Sequence, residues 1–367
     1  MARQTPPNQT ELDFESDSLE VVEPLDKKAA SVAYKMNAIK NPYTGNKRKL
    51  IPFLFDFIDK RGYSYDRFLD LFAGSSVVGA AAKSLGAEVY SNDLMLFPYY
   101  NAKFLIEGTG QRLTDSEAKS LLVQDGKQGS FIEENYHERF TPEERLALDS
   151  YRHRIDVLFP NEDDEKRYVA FAQLLHFVMD SCFVGGRLNK GQVLADLGHR
   201  INHPRNGGEA MNFNEIPRYG EFPWDLKGNN KVFNCDAIDL LNSTDCPEAD
   251  ICYIDPPYGG QQSDYSAMYL FFDEFINNGK IEVKENKSRS KFVKSKKYID
   301  HFRELIKSAE KFPVLIFSYN DSSWSNLKTI SEEIERVGRR VFVKEVDYGY
   351  KYRKQDSESQ EYIIAAE

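Results

Sequence analysis

The most specific chemistry in the chain sits in Asp255-Pro256-Pro257-Tyr258. Two adjacent prolines fix φ and remove backbone donors, so the loop is rigid. It presents a carboxylate, a main-chain carbonyl with no N–H following it, and an aromatic face. That set suits gripping an exocyclic amino group while stacking on its ring. A strand that merely ends in a proline-rich turn is the competing explanation. The rest of the chain has to decide between them.

The residues before the loop, Ile251-Cys252-Tyr253-Ile254, form a short apolar run without helical period, as expected of a buried parallel strand. In open α/β sheets, ligands bind at the carboxyl ends of such strands. Upstream, Phe68 to Ala82 reads as strand, small-residue turn and helix, with Asp70, Phe72 and Gly74 at the turn. Small residues there let the backbone approach a ligand beside a helix N-terminus. The turn is neither a Walker loop nor G-x-G-x-x-G. A second strand, Ala87 to Asn92, then ends in Asp93, where nucleotide-binding folds place an acid for ribose hydroxyls. A helix cap is the alternative for Asp93. Lys231 to Asp236 is a third acid-terminated strand, and Asn41 to Leu50 is a turn-rich loop whose Tyr43 and Lys47 could face a ligand.

Spacing supplies the next clue. Asp93 and Asp255 are 162 positions apart, whereas one further βα unit needs only roughly 30–50 residues. The surplus falls between Asn101 and about Lys227. It begins helical (a start at Thr141-Pro142-Glu143-Glu144, an amphipathic stretch Arg167–Met179) and turns irregular around Gly185–Gln192 and His199–Gly208. The Arg, Asn, Lys and Gly of these loops, Arg187, Asn189, Lys190, Arg200 and Arg205 among them, suit contacts with bases and phosphates, or an ordinary polar surface. His199 and His203 have no evident third ligand, and no metal is expected.

Between Lys280 and Lys297 stand eight Lys or Arg and two Glu. This run includes Lys287, Arg289, Lys291 and Lys294, and reads either as a solvated face or as a phosphate-contacting segment. The net charge of −10 and an acidic stretch from Glu11 to Asp26 do not veto nucleic acid, because binding follows the local field. Residues 1–35 are expected to be a flexible acidic tail. Four scattered cysteines suit a reducing compartment, and no signal-like or membrane-spanning run is evident, so the chain is expected to be cytoplasmic. The closing elements are a helix from about Tyr298, a strand Pro313–Tyr319, a helix Ser323–Val337, and an antiparallel pair Arg340–Val346 and Glu361–Ala365. Seven strands are expected in all.

The order Tyr43-Thr44-Gly45-Asn46-Lys47, Asp70-Leu71-Phe72-Ala73-Gly74-Ser75-Ser76, Asn92-Asp93, long insert, Asp255-Pro256-Pro257-Tyr258 resembles the Dam-like alpha group of DNA adenine-N6 methyltransferases. The resemblance runs from about Ala38 to the C-terminus, apart from the insert. It implies an α/β, Rossmann-like methyltransferase sheet of seven strands with a terminal antiparallel pair. The catalytic domain would be residues 36–100 and 229–367, interrupted by a largely helical target-recognition domain at 101–228. It implies S-adenosyl-L-methionine as cofactor, contacted by Tyr43, Lys47, Asp93 and Asp255, with Asp70, Phe72, Gly74 and Asp236 lining the same site. Double-stranded DNA is the implied partner, and a separately encoded restriction endonuclease a candidate one. One departure matters: the family's turn is usually Phe-x-Gly-x-Gly, and Ser76 replaces the last glycine.

With those partners the chemistry follows. The lone pair of an adenine amino group is delocalised into the ring and is a poor nucleophile. Acceptors aimed at its hydrogens, the Asp255 carboxylate and the Pro256 carbonyl, favour pyramidal nitrogen and stabilise its growing positive charge. Tyr258, after Pro257, would stack on the extruded base. Methyl transfer to RNA or to cytosine N4, and a catalytically silent DNA-binding regulator, remain the alternatives.

Overall fold

The computed structural model describes residues 31–32, 43, 45–121, 123, 130–137, 140, 142–184, 187–188, 228–257, 264–281, 290–293, 297–320, 325–346 and 361–367. The acidic tail, apart from residues 31–32, lies outside them, as do Tyr258, Asn189, Lys190, Arg200, Arg205, Lys287, Arg289 and Lys294.

The strands in chain order are β1 (Arg67–Asp70), β2 (Glu88–Asn92), β3 (Phe183–Val184), β4 (Arg187–Leu188), β5 (Lys231–Phe233), β6 (Ile251–Ile254), β7 (Val314–Asn320), β8 (Val341–Val346) and β9 (Glu361–Ala366). Seven of them form one sheet in the order β5-β2-β1-β6-β7-β9-β8, while β3 and β4 make a separate antiparallel pair. The first five sheet strands pair in parallel, and β9 runs antiparallel between β7 and β8. The expected terminal antiparallel pair is present. Every residue of β6 and β7 is buried, as befits central strands covered on both faces. The chain leaves β1 on both sides, towards β2 and towards β6, and that reversal opens a crevice at the strands' carboxyl ends.

The helices are α1 (Ile51–Lys60), α2 (Val77–Ser84), α3 (Leu96–Ala102), α4 (Asp115–Leu121), α5 (Phe131–Asn135), α6 (Pro142–Leu158), α7 (Glu165–Cys182), α8 (Ala237–Asn242), α9 (Tyr265–Met268), α10 (Leu270–Asn277), α11 (Tyr298–Ser308) and α12 (Leu327–Glu335). Local caps set where two of them begin. Lys47–Lys49 is a tight 3-10 turn capped by Asn46, so α1 starts only at Ile51, with Pro52 in its first turn where a missing N–H costs nothing. Asn326 caps Thr329 N at 2.8 Å, which delays α12 from the expected Ser323 to Leu327.

Two apolar clusters sandwich the sheet. One contains Leu69, Ile254, Phe302 and Ile364; the other contains Phe68, Val89 and Tyr253 and continues into the insert through Phe104, Tyr151 and Phe171. Insert and sheet are also tied by polar contacts. Lys83 on α2 is buried and donates to Leu105 O, Ile106 O and Gly108 O at 3.3, 2.8 and 3.1 Å. Burial lowers its pKa to about 8, opposed by the nearby Glu165 carboxylate. Arg152 on α6 donates to Phe275 O and Ile276 O at the end of α10. The helical first part of the expected insert therefore shares its core with the sheet. No helix among the described residues is long and apolar enough to cross a membrane.

Candidate active site

The turn after β1 is held in an unusual backbone path. Gly74 and Ser76 both adopt left-handed conformations, with φ of +47° and +59°. Asn101 donates to Ser75 O at 2.8 Å, and Ser76 N donates to Ala73 O at 2.6 Å, fixing the loop from outside and within. A side chain at Gly74 would meet the Tyr43 ring at 3.2 Å, so the glycine lets turn and ring close on one another. Tyr43 is stacked on Tyr269 and Tyr265 with ring centroids 4.7 and 5.9 Å apart. Its phenol is pushed well above its ordinary pKa, first by burial and then by the Asp93 charge, so it is an uncharged wall.

Around this turn lies a cleft lined by Tyr43, Lys47, Asp70, Asp93, Asp236 and Asp255 together with Phe72 and Gly74. All eight residues expected from sequence to meet the cofactor thus line one cavity. Its empty volume is about 940 Å³ with the solvent at its mouth counted. Pro256 and Pro257 line it too.

Each carboxylate is set differently. Asp93 accepts from Gly74 N and Met95 N, both at 2.9 Å, so it braces the glycine turn. Asp70 is buried; its Oδ2 accepts from Gly79 N at 3.0 Å, while Oδ1 has no hydrogen-bond partner. Burial pushes its pKa up to about 7; the Gly79 N–H opposes this, and the charges of Asp255 and Asp93 add to it. Asp236 caps α8, accepting from Ile238 N at 3.0 Å, and its Oδ1 also lies 3.2 Å from Lys291 Nζ. Asp255 follows β6, with Oδ1 3.4 Å from Lys47 Nζ.

A cationic ligand rich in hydroxyl and amino donors fits this set of acceptors. The orphaned Asp70 oxygen requires a donor or a proton, and the other acids offer further acceptors. Phe72 meets Phe292 edge-on at 5.5 Å, adding an apolar wall suited to a planar ring. Among the described residues no cluster of metal-ligating side chains occurs.

The basic run is not one uniform face. Lys291 turns back to Asp236, while Lys280 pairs with Glu274 at 3.1 Å and covers the Tyr136 ring. Arg187 opens β4, remote in sequence from both. Residues that the sequence did not single out also line the cleft: Tyr265 and Phe292, with Tyr269 behind Tyr43. The i, i+4 spacing of Tyr265 and Tyr269 was the available signal, since it puts both rings on one helical face.

A seven-stranded sheet in this order, with an acid-lined cleft at its switch point, is the α/β fold of S-adenosylmethionine-dependent methyltransferases. Residues 43–319 match the D12 class N6 adenine-specific DNA methyltransferases, and the chain belongs to that family. It is 26% identical over 333 residues to the type II methyltransferase M2.HphI of Haemophilus parahaemolyticus, covering 86% of this chain and 94% of that protein. It is 27% identical over 318 residues to the type II methyltransferase M.NlaIII of Neisseria lactamica, covering 81% and 88%. With the modification methylase StsI of Streptococcus sanguinis it shares 25% over 343 residues, 87% of this chain and half of that protein.

Proposed function

We propose that this protein methylates the N6 amino group of a flipped adenine at a specific site in duplex DNA, using S-adenosyl-L-methionine, as the modification partner of a restriction endonuclease. Family membership carries the base and the position, and the type II and modification names of the relatives support the biological setting. When bound, the cofactor supplies an electrophilic methyl on a cationic sulfur. The single structural observation that carries the reading is that Asp70, Asp93, Asp236 and Asp255 line one cleft beside a left-handed glycine turn.

In this reading Asp93 and Asp236 hold the donors of the cofactor's ribose and adenine, and Gly74 allows the backbone to approach. Tyr43, with Tyr269 stacked behind it, forms an apolar wall. Asp70, buried and short of one donor, answers the positive end of the ligand. Asp255 and the Pro256 carbonyl accept hydrogens of the adenine amino group, favouring pyramidal nitrogen and lowering the energy of the charge that develops. Loss of such a partner costs ~2.7–4 kcal/mol. The nitrogen needs no prior deprotonation, because its proton becomes acidic only after transfer. Tyr258, next in the chain after Pro257, stacks on the extruded base and offsets part of the few kcal/mol spent on flipping.

DNA contacts are assigned to Arg187, Asn189, Lys190, Arg200 and Arg205 in the later part of the insert and to Lys287, Arg289 and Lys294 in the basic run. Lys291, paired with Asp236, is reassigned from DNA to the rim of the cofactor cleft. The target-recognition function belongs to the insert beyond its helical base. Asp255→Ala tests the scheme: methyl transfer to duplex DNA should be lost while cofactor binding is weakened but measurable. An active variant would remove Asp255 from the chemistry.

A further inference from the structure

Glu361 opens β9, whose remaining residues are Tyr-Ile-Ile-Ala-Ala, and it is 4% exposed. A carboxylate is costly at such a depth unless a cation and hydrogen bonds compensate it. Both are present. Its Oε1 accepts from Asn320 Nδ2 at 2.9 Å across the β7–β9 register, where Asn320 and Glu361 are direct partners. Its Oε2 lies 3.9 Å from Lys47 Nζ, and that ammonium is 3.4 Å from Asp255 Oδ1. Three distant parts of the chain, the loop before α1, the loop after β6 and the last strand, therefore converge on one buried ammonium. Since β6, β7 and β9 are adjacent strands of one sheet, their spacing fixes the two carboxylates on the shared lysine.

The charges decide what this does. Lys47 and Asp255 alone would be a neutral pair, and its cation would oppose the positive charge that grows on the target nitrogen. A second carboxylate on the same ammonium counters that cation, in a place where solvent screens little. We propose that Glu361 is a positioning residue for methyl transfer, sharing Lys47 with Asp255 so that the ammonium stays placed away from the reacting amine and the Asp255 carboxylate keeps its orientation towards it. The inference rests on the proposed role of Asp255. It gives the C-terminal strand, remote in sequence from every cofactor motif, a part in the chemical step.

Glu361→Gln preserves size and the acceptor for Asn320 while removing the charge. Single-turnover methyl transfer to duplex DNA, cofactor affinity by calorimetry and thermal unfolding are compared for wild type, Glu361→Gln, Glu361→Asp and Asp255→Ala. The transfer rate of Glu361→Gln should fall on the order of 10- to 100-fold, by analogy with the partners that orient metal-ligating side chains. Its cofactor affinity should change much less than the rate, and Glu361→Asp should recover a substantial part of it. A wild-type rate in Glu361→Gln, a loss confined to cofactor affinity, or no recovery in Glu361→Asp would overturn the inference while leaving the role of Asp255 standing. An active Asp255→Ala would instead remove the reading on which it rests.

Discussion

Replacing Ser76 by glycine should make the protein more stable. Ser76 is fully buried with φ +59° and ψ +14°, and its hydroxyl has no hydrogen-bond partner. A side chain in the left-handed region costs roughly 1–2 kcal/mol. A buried hydroxyl without a partner costs about 1–3 kcal/mol more. Against these stands the extra freedom that glycine brings to the unfolded chain, about 0.5–1 kcal/mol. The balance favours Ser76→Gly by about 1–4 kcal/mol, before the packing that the Cβ made is deducted. At roughly 2–4 °C per kcal/mol for chains above 150 residues, Tm should rise by several degrees. Ser76→Ala isolates the hydroxyl, because alanine removes it and keeps the left-handed strain. Calorimetry should therefore rank glycine above alanine, and alanine at or above serine. If alanine stabilised as much as glycine, the backbone argument would fail; if glycine destabilised, the turn would not be strained.

Further predictions concern the cleft and the basic run. Asp70 has a folded pKa of about 7, above its unfolded value of 3.8. The folded state therefore holds the extra proton between these values, and the contribution of Asp70 to stability declines as pH rises through that window. Asp70→Asn should flatten this part of the pH–stability curve; an unchanged slope would show that the group does not titrate there. By the same linkage, cofactor binding below pH 7 should release a proton, seen as a dependence of binding enthalpy on buffer ionisation that vanishes in Asp70→Asn. Tyr258→Phe should keep much activity and Tyr258→Ala lose most, since the ring and not the hydroxyl is required; equal losses would reverse that. Neutralising Lys287, Arg289 and Lys294 should weaken DNA binding and flatten its salt dependence, whereas Lys291→Ala should act mainly on cofactor affinity. A salt slope that changes equally for Lys291→Ala would return that residue to the DNA surface.

Much of the sheet could be read from the chain because its parallel strands are buried on both faces, and Ile251–Ile254 or the Val-Leu-Ile-Phe start of Val314–Asn320 show this as unbroken apolar runs. Their carboxyl ends carry the acids, so Asp93, Asp236 and Asp255 could be located by counting strands. Caps were less legible: Asn326 moved a helix start by four residues through one side-chain bond that propensity does not reveal. The local path at Ser76 was legible only as a doubt, since neighbouring contacts from Asn101 force a conformation that serine resists. Glu361 was invisible because its role depends on Lys47, more than 300 positions away, and no local pattern encodes that meeting. The placement of Lys291 on Asp236 was hidden for the same reason, in a run whose composition signalled only charge.

The central claim is tested most directly by incubating the protein with methyl-labelled S-adenosylmethionine and duplex DNA, then identifying the labelled nucleoside. Label in N6-methyladenine at one recurrent sequence, absent from Asp255→Ala, is the predicted result. Label in N4-methylcytosine, in RNA offered as competitor, or in no nucleic acid at all would contradict it.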